Sequence, residues 1–92
     1  MSKIIVVAEV EDLVKWEAGF RTHADLFRSQ TITKPVHFGT IAGNQAAVCL
    51  EPGDLAAFMA ALDSPATAEA MANDGVKRET VKVFVLDKTL EV

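Results

Sequence analysis

Three side chains in this sequence could do chemistry on their own near neutral pH: His23, His37 and Cys49. An unperturbed imidazole titrates at about 6.5, so each histidine can take or give a proton there. His23 stands among Trp16, Phe20 and Phe27. At about 100° per residue these fall on one arc of a helix, together with Leu13 and Ala24. Burial favours the neutral imidazole, which can then act as general base or ligand near pH 7. Two readings fit that position. One is a pocket histidine that serves as base or hydrogen-bond donor. The other is a core histidine bonded to a backbone carbonyl or a neighbouring side chain. His37 lies in a strand. If its face is the one toward the helices, it approaches His23 and assists it. Otherwise it is an interface or solvent-edge histidine. Cys49 has no recognisable charged partner and reads as a small hydrophobe.

Other chemistries find no support. Zinc takes three or four protein ligands, and two histidines with one cysteine do not supply them, so no metal is expected. The five glycines lie far apart, so there is no phosphate-cradling loop, and no cofactor is expected. There is no tyrosine to act as a phenolic acid. The net charge is −4, and the nine Lys and Arg are scattered. Nucleic-acid binding needs a basic stripe, so it is excluded as an expectation. The apolar run Ile4 to Ala8 is too short for a signal segment or a membrane span. A cytoplasmic location with no membrane partner is expected.

The elements that would position these residues follow from periodicity. Lys3 to Val10 is a strand with both alternating sets apolar, so both of its faces are covered. Asp12 can cap a helix from Leu13 to about Ser29. Gly19 within it costs about 1 kcal/mol relative to Ala, which points to close packing there. Lys34 to Ala42 and Gln45 to Glu51 read as a hairpin around Gly43-Asn44. A two-residue turn pairs Thr40 with Ala47 and Phe38 with Cys49. One face then carries Val36, Phe38, Thr40, Ala47, Cys49 and Glu51. The other carries His37, Gly39, Ile41, Ala46, Val48 and Leu50. Pro35 cannot donate to a ladder and favours an edge for the first of these strands.

Pro52-Gly53 is a turn, and Asp54 can cap a helix over Leu55 to about Leu62. Ser64-Pro65 opens a further helical stretch that Gly75 ends at the C′ position. The last strand runs from Glu79 to Leu86. The order strand, helix, strand, strand, helix, strand is the ferredoxin-like βαββαβ arrangement, an α+β fold. It places helices on one face of an antiparallel four-stranded sheet. Ninety-two residues make one such domain, spanning 1–92. Half the residues are hydrophobic, and the uncovered sheet face is too apolar for water. The simplest cover is a second copy, giving a homodimer joined through its sheets. Trp16, Phe20, Phe27, Phe38 and Phe58, with Thr40, either line an apolar pocket between sheet and helices or form plain core.

The run Asp12-Leu13-Val14-Lys15-Trp16, continuing through Phe20 and His23, resembles the first helix of small dimeric α+β barrel proteins. These are the relatives of antibiotic-biosynthesis monooxygenases and of small cyclase-type proteins. Leu62-Asp63-Ser64-Pro65, Glu69-Ala70-Met71 and Gly75-Val76 resemble that family's second helical region. The resemblance spans nearly the whole chain and implies a dimer joined through its sheets, with ligands between sheet and helices. The family includes cofactor-independent oxygenases, haem-degrading enzymes, isomerases, dehydratases and proteins without known activity. The implied function is therefore either the binding or transformation of a small apolar or aromatic compound, or a non-catalytic homodimeric module.

Overall fold

The computed structural model describes residues 3–92. Four strands form one sheet: β1 (Lys3–Glu9), β2 (His37–Ile41), β3 (Gln45–Leu50) and β4 (Lys82–Leu86). Four helices accompany it: α1 (Leu13–Phe20), α2 (Ala24–Ser29), α3 (Leu55–Leu62) and α4 (Pro65–Asn73). The sheet order is β2-β3-β1-β4, and every neighbouring pair is antiparallel. This is the expected ferredoxin-like α+β fold. β1, apolar on both sides, is central. β2 and β4 are the edges, and Pro35 lies just outside β2.

Local signals set most boundaries. The Asp12 carboxylate accepts hydrogen bonds from the Val14 and Lys15 N–H groups. Asp54 accepts from Ala57 N–H at the head of α3. Ser64 accepts from Thr67 N–H, with Pro65 in the first helical turn of α4. Gly75 ends α4 at φ 75°, the left-handed conformation that a helix terminus of this kind requires. β4 begins at Lys82 rather than Glu79, because Arg78–Thr80 forms one turn of 3-10 helix first.

Two expectations are corrected. The segment from Leu13 to Ser29 is two helices, broken at Arg21–His23. There the Thr22 hydroxyl donates to Gly19 O at 2.6 Å. The Thr22 and His23 N–H groups take i−3 carbonyls, those of Gly19 and Phe20. Threonine competes in this way with the regular ladder, and Gly19 upstream offers it little resistance. His23 therefore heads α2 instead of sitting mid-helix.

The hairpin register is also shifted by one residue. Its loop is Ala42-Gly43-Asn44, with Ile41 opposite Gln45, Phe38 opposite Val48 and His37 opposite Cys49. Gly43 and Asn44 both take positive φ to close it. Because side chains alternate, one residue of slip exchanges the faces of β2. Phe38 now shares the helix-covered face with Ala46, Val48 and Leu50. His37, Gly39 and Ile41 share the open face with Ala47 and Cys49.

The core occupies the helix-covered face in two adjoining clusters. Ile4, Ile32, Leu50 and Phe58 form one; Val10, Trp16 and Ala46 form the other; Val48 packs against both. Phe58 is only 1% exposed. Truncating a ring at such a position costs about 3–5 kcal/mol. Urea unfolding of Phe58→Ala is therefore expected to show a loss of that size with little change in slope. A loss below about 1 kcal/mol would mean that α3 does not close the core.

Candidate functional site

Between the helices and the inner face of the sheet lies a cavity of about 100 Å³. Its floor is Val6, Ala8, Ala46, Val48 and Leu50, from the two central strands. Trp16, Phe20, Leu26 and Phe27 wall it from α1 and α2; Phe58, Leu62, Ala70 and Met71 from α3 and α4. For scale, a dry cavity of about 150 Å³ admits benzene. The space as it stands therefore suits a ligand no larger than a small ring. A larger one requires side chains to move aside.

Four polar residues face this apolar enclosure: His23, Gln30, Thr67 and Asp74. Two of them bond to each other. Gln30 Nε2 donates to Thr67 Oγ1 at 2.7 Å, and the Thr67 hydroxyl donates onward to Ala61 O at 2.8 Å. That pair ties α2 to α4 and has a structural use already. The other two are His23 and Asp74, with Nε2 and Oδ2 2.7 Å apart. Their side chains are 21% and 9% exposed.

An ionised carboxylate can only accept, so the proton of this bond sits on Nε2. In the neutral imidazole this fixes the tautomer and leaves the lone pair on Nδ1. Asp74 caps the C-terminus of α4, where the helix dipole disfavours a negative charge. Burial disfavours it further. The bond from His23, at the head of α2, offsets both. In the neutral form Nδ1 of His23, on a ring that lines the cavity, has an uncommitted lone pair and a fixed orientation. It can accept a proton from a bound compound, with the Asp74 carboxylate stabilising the imidazolium that forms.

Gly19 makes this pair possible. A Cβ built on Gly19 would lie 2.0 Å from Asp74 Oδ1 and 2.8 Å from its Cγ. The close packing inferred at Gly19 is therefore the passage of Asp74 past the α1 backbone. Asp74 is the residue that sequence reasoning missed. A glycine on the inner arc of an amphipathic helix was the signal, but its partner lies 51 residues beyond His23.

The other sequence candidates separate. Trp16, Phe20, Phe27 and Phe58 line the cavity. Phe38 does not; it borders an outer cleft that shares Phe20 and Phe27. Thr40 is exposed and lines neither space. His37 is exposed on the opposite sheet face, away from His23, because of the register shift. Cys49 is half-buried on that same face. Among the described residues, no group of three or more His, Cys, Asp or Glu is arranged to hold a metal ion.

No protein-family model matches the chain, and no curated protein matches it in sequence. Solved structures do match in shape. One, provisionally named an antibiotic biosynthesis monooxygenase, is from Bordetella bronchiseptica. It aligns at a TM-score of 0.75 and 16% identity, over 97% of each chain. The cofactor-independent oxygenase SnoaB of Streptomyces nogalater aligns at 0.71 and 16%, over 99% of this chain and 95% of its own. A protein of unknown function from Nitrosomonas europaea aligns at 0.65 and 15%, over 99% and 94%. The fold is that of the antibiotic-biosynthesis-monooxygenase-like proteins, as the sequence resemblance implied. At these identities the likeness is one of fold, and the reaction has to be argued from the site.

Gly19→Ala tests how the site is built. Helix propensity alone would stabilise this change by about 1 kcal/mol. The clash with Asp74 should reverse the sign, with a net loss of about 1–3 kcal/mol as the buried bond to His23 breaks. In an Asp74→Ala background the same substitution should be neutral or stabilising. Additive effects in that double-mutant cycle, measured by denaturant unfolding, would show that Gly19 and Asp74 are not coupled.

Proposed function

We propose that this protein is a small enzyme that binds an apolar, weakly acidic aromatic compound between sheet and helices and removes a proton from it through His23. One observation carries this reading. In a largely apolar cavity, His23 is oriented by a buried carboxylate on Nε2, which in the neutral ring leaves the Nδ1 lone pair free. Removing a proton from a phenol or an activated C–H leaves an electron-rich anion. Anions of that kind react with dioxygen without a bound helper, which agrees with the names of the antibiotic biosynthesis monooxygenase and the cofactor-independent oxygenase that share this fold. Trp16, Phe20, Phe27 and Phe58 supply the apolar walls that hold the ring. Asp74 is a positioning residue.

The enzyme works as a homodimer in this reading. The open face of the sheet supports that. Phe84 and Leu86 are 51% and 45% exposed at its β4 edge, with Phe84 opposite Ile5, and Ile41 is 66% exposed at its β2 edge. Large apolar side chains exposed at both edges of one sheet face favour a cover, and an identical face supplies one by two-fold symmetry.

Oxygen uptake with a panel of quinols, phenols and anthrone-type compounds tests the chemistry. His23→Gln should lower turnover by about 10²–10⁴-fold, the usual contribution of a general base. Asp74→Asn should lower it too. An amide that donates to Nε2 forces the proton onto Nδ1, so the pH profile should change as well as the rate. Filling the cavity with Ala70→Leu should raise KM. Full activity in His23→Gln would exclude the role given to it. For the dimer, sedimentation at micromolar concentration should give twice the monomer mass. Phe84→Asp, on the open face, should shift it to the monomer.

A further inference from the structure

Beyond Phe20 and Phe27 lies a second, open cleft of about 520 Å³, between α1, α2 and the segment leading into β2. Its size falls within the range of about 300–1,000 Å³ usual for small-molecule sites. Its apolar side includes Phe20, Phe27 and Phe38. These rings form one continuous surface, with Phe20 5.4 Å from Phe27 and 4.9 Å from Phe38 between centroids. Phe20 and Phe27 are the partition, since both also line the inner cavity.

The charges of the cleft set it apart from the rest of the molecule. The chain carries a net charge of −4. Yet this cleft is lined by Arg21, Arg28 and Lys34 and by no acidic residue. Each cation has a carboxylate outside the lining: Glu17 for Arg21 at 2.9 Å, Asp25 for Arg28, and Glu51 for Lys34 at 2.9 Å. Lys34, with Lys3 further off, holds the Glu51 carboxyl below its ordinary range. These contacts leave donors to spare. Guanidinium has five N–H groups and ammonium three, and each pair uses only part of them. The Arg21 guanidinium also lies 5.1 Å over the Phe38 ring, poised between an aromatic floor and the opening.

We infer that the outer cleft seats the anionic end of the ligand, and that the substrate class is an aromatic carboxylate. Its rings lie on Phe20, Phe27 and Phe38, and its carboxylate meets Arg21, Arg28 and Lys34. The partition of Phe20 and Phe27 is then the way by which the reacting ring reaches His23; in that respect the inference rests on the inner-cavity reading above. An acidic aromatic anion gains from the cleft what a neutral or cationic ring cannot, which gives the site its discrimination.

Calorimetric titration of the intact protein with 2-naphthoate and with its neutral isostere 2-naphthamide tests this. At low salt the carboxylate should bind about tenfold more tightly, and the advantage should shrink at 0.5 M salt as exposed charges are screened. The double variant Arg21→Gln/Lys34→Gln should bind the two compounds alike while melting as the wild type does. Arg28→Gln should reduce the preference part-way. Equal affinity of both compounds for the wild type, or an unchanged preference in the double variant, would overturn the assignment. Ala70→Leu, which fills the inner cavity, separates the two sites. Weakened binding without any carboxylate preference leaves the inner site standing and removes the outer one. A preserved preference with affinity untouched by Ala70→Leu supports the outer cleft and removes the inner cavity as the ring's destination.

Discussion

A strand side chain has two directions available, and the three-residue loop Ala42-Gly43-Asn44 decides which of them every residue of β2 takes. With Phe38 opposite Val48, its ring joins the helix-covered face and meets Trp16 edge-on at 5.7 Å and Phe20 at 4.9 Å. Phe20 in turn stacks on Trp16 at 4.8 Å and meets Phe27. That chain of rings is at once a wall of the core, the partition between two spaces and the floor of the outer cleft. The same alternation puts His37 and Ile41 on the open face. A register different by one residue would bury a histidine among these rings and leave Phe38 in water.

Within that frame, one polar bond is held under opposing pressures. Asp74 lies at the negative end of α4 and away from water, two circumstances that disfavour a carboxylate. It persists because α1 offers no side chain at Gly19 and because a histidine stands just before α2. The break at Thr22 is what places His23 just before a new helix. Chain geometry, not ring packing alone, brings the imidazole to the carboxylate. Gln30 and Thr67 join the same two helices by a second bond. The site thus has two clasps between the same helices, one amide to hydroxyl and one imidazole to carboxylate.

What could be read in the sequence was what local chemistry specifies. Asp12, Asp54, Ser64-Pro65 and Gly75 mark helix ends through hydrogen bonds to their own neighbours, and all stand where expected. The double-sided apolar pattern of Lys3 to Val10 marked a central strand. Gly43-Asn44 marked a turn but not its length, because both residues serve loops of two or three. The choice between them came from where Phe38 could be buried. The break at Thr22 was hidden because apolar spacing continues across it, from Phe20 to Phe27. Asp74 carries no local mark in the sequence beyond standing before a terminal glycine. Its role depends on contacts with Gly19 and His23, far away along the chain, and periodicity carries no record of such distances.

The sheet order also governs when this protein can become itself. β1 leaves the ribosome first, yet its two partners are β3 and β4, and Glu9 N–H ends on the Thr80 hydroxyl, 71 residues on. β2 and β3 can close as a local hairpin, but they have nothing apolar to rest on until β1 docks. β1 then stays an edge until the last strand arrives. Loops this long must close before their contacts repay the loss of chain freedom, which slows such topologies. The apolar stretch Ile4 to Ala8 therefore waits for partners that are made later in the chain. Its exposure to other nascent chains, rather than any weakness of the finished fold, is where aggregation would begin.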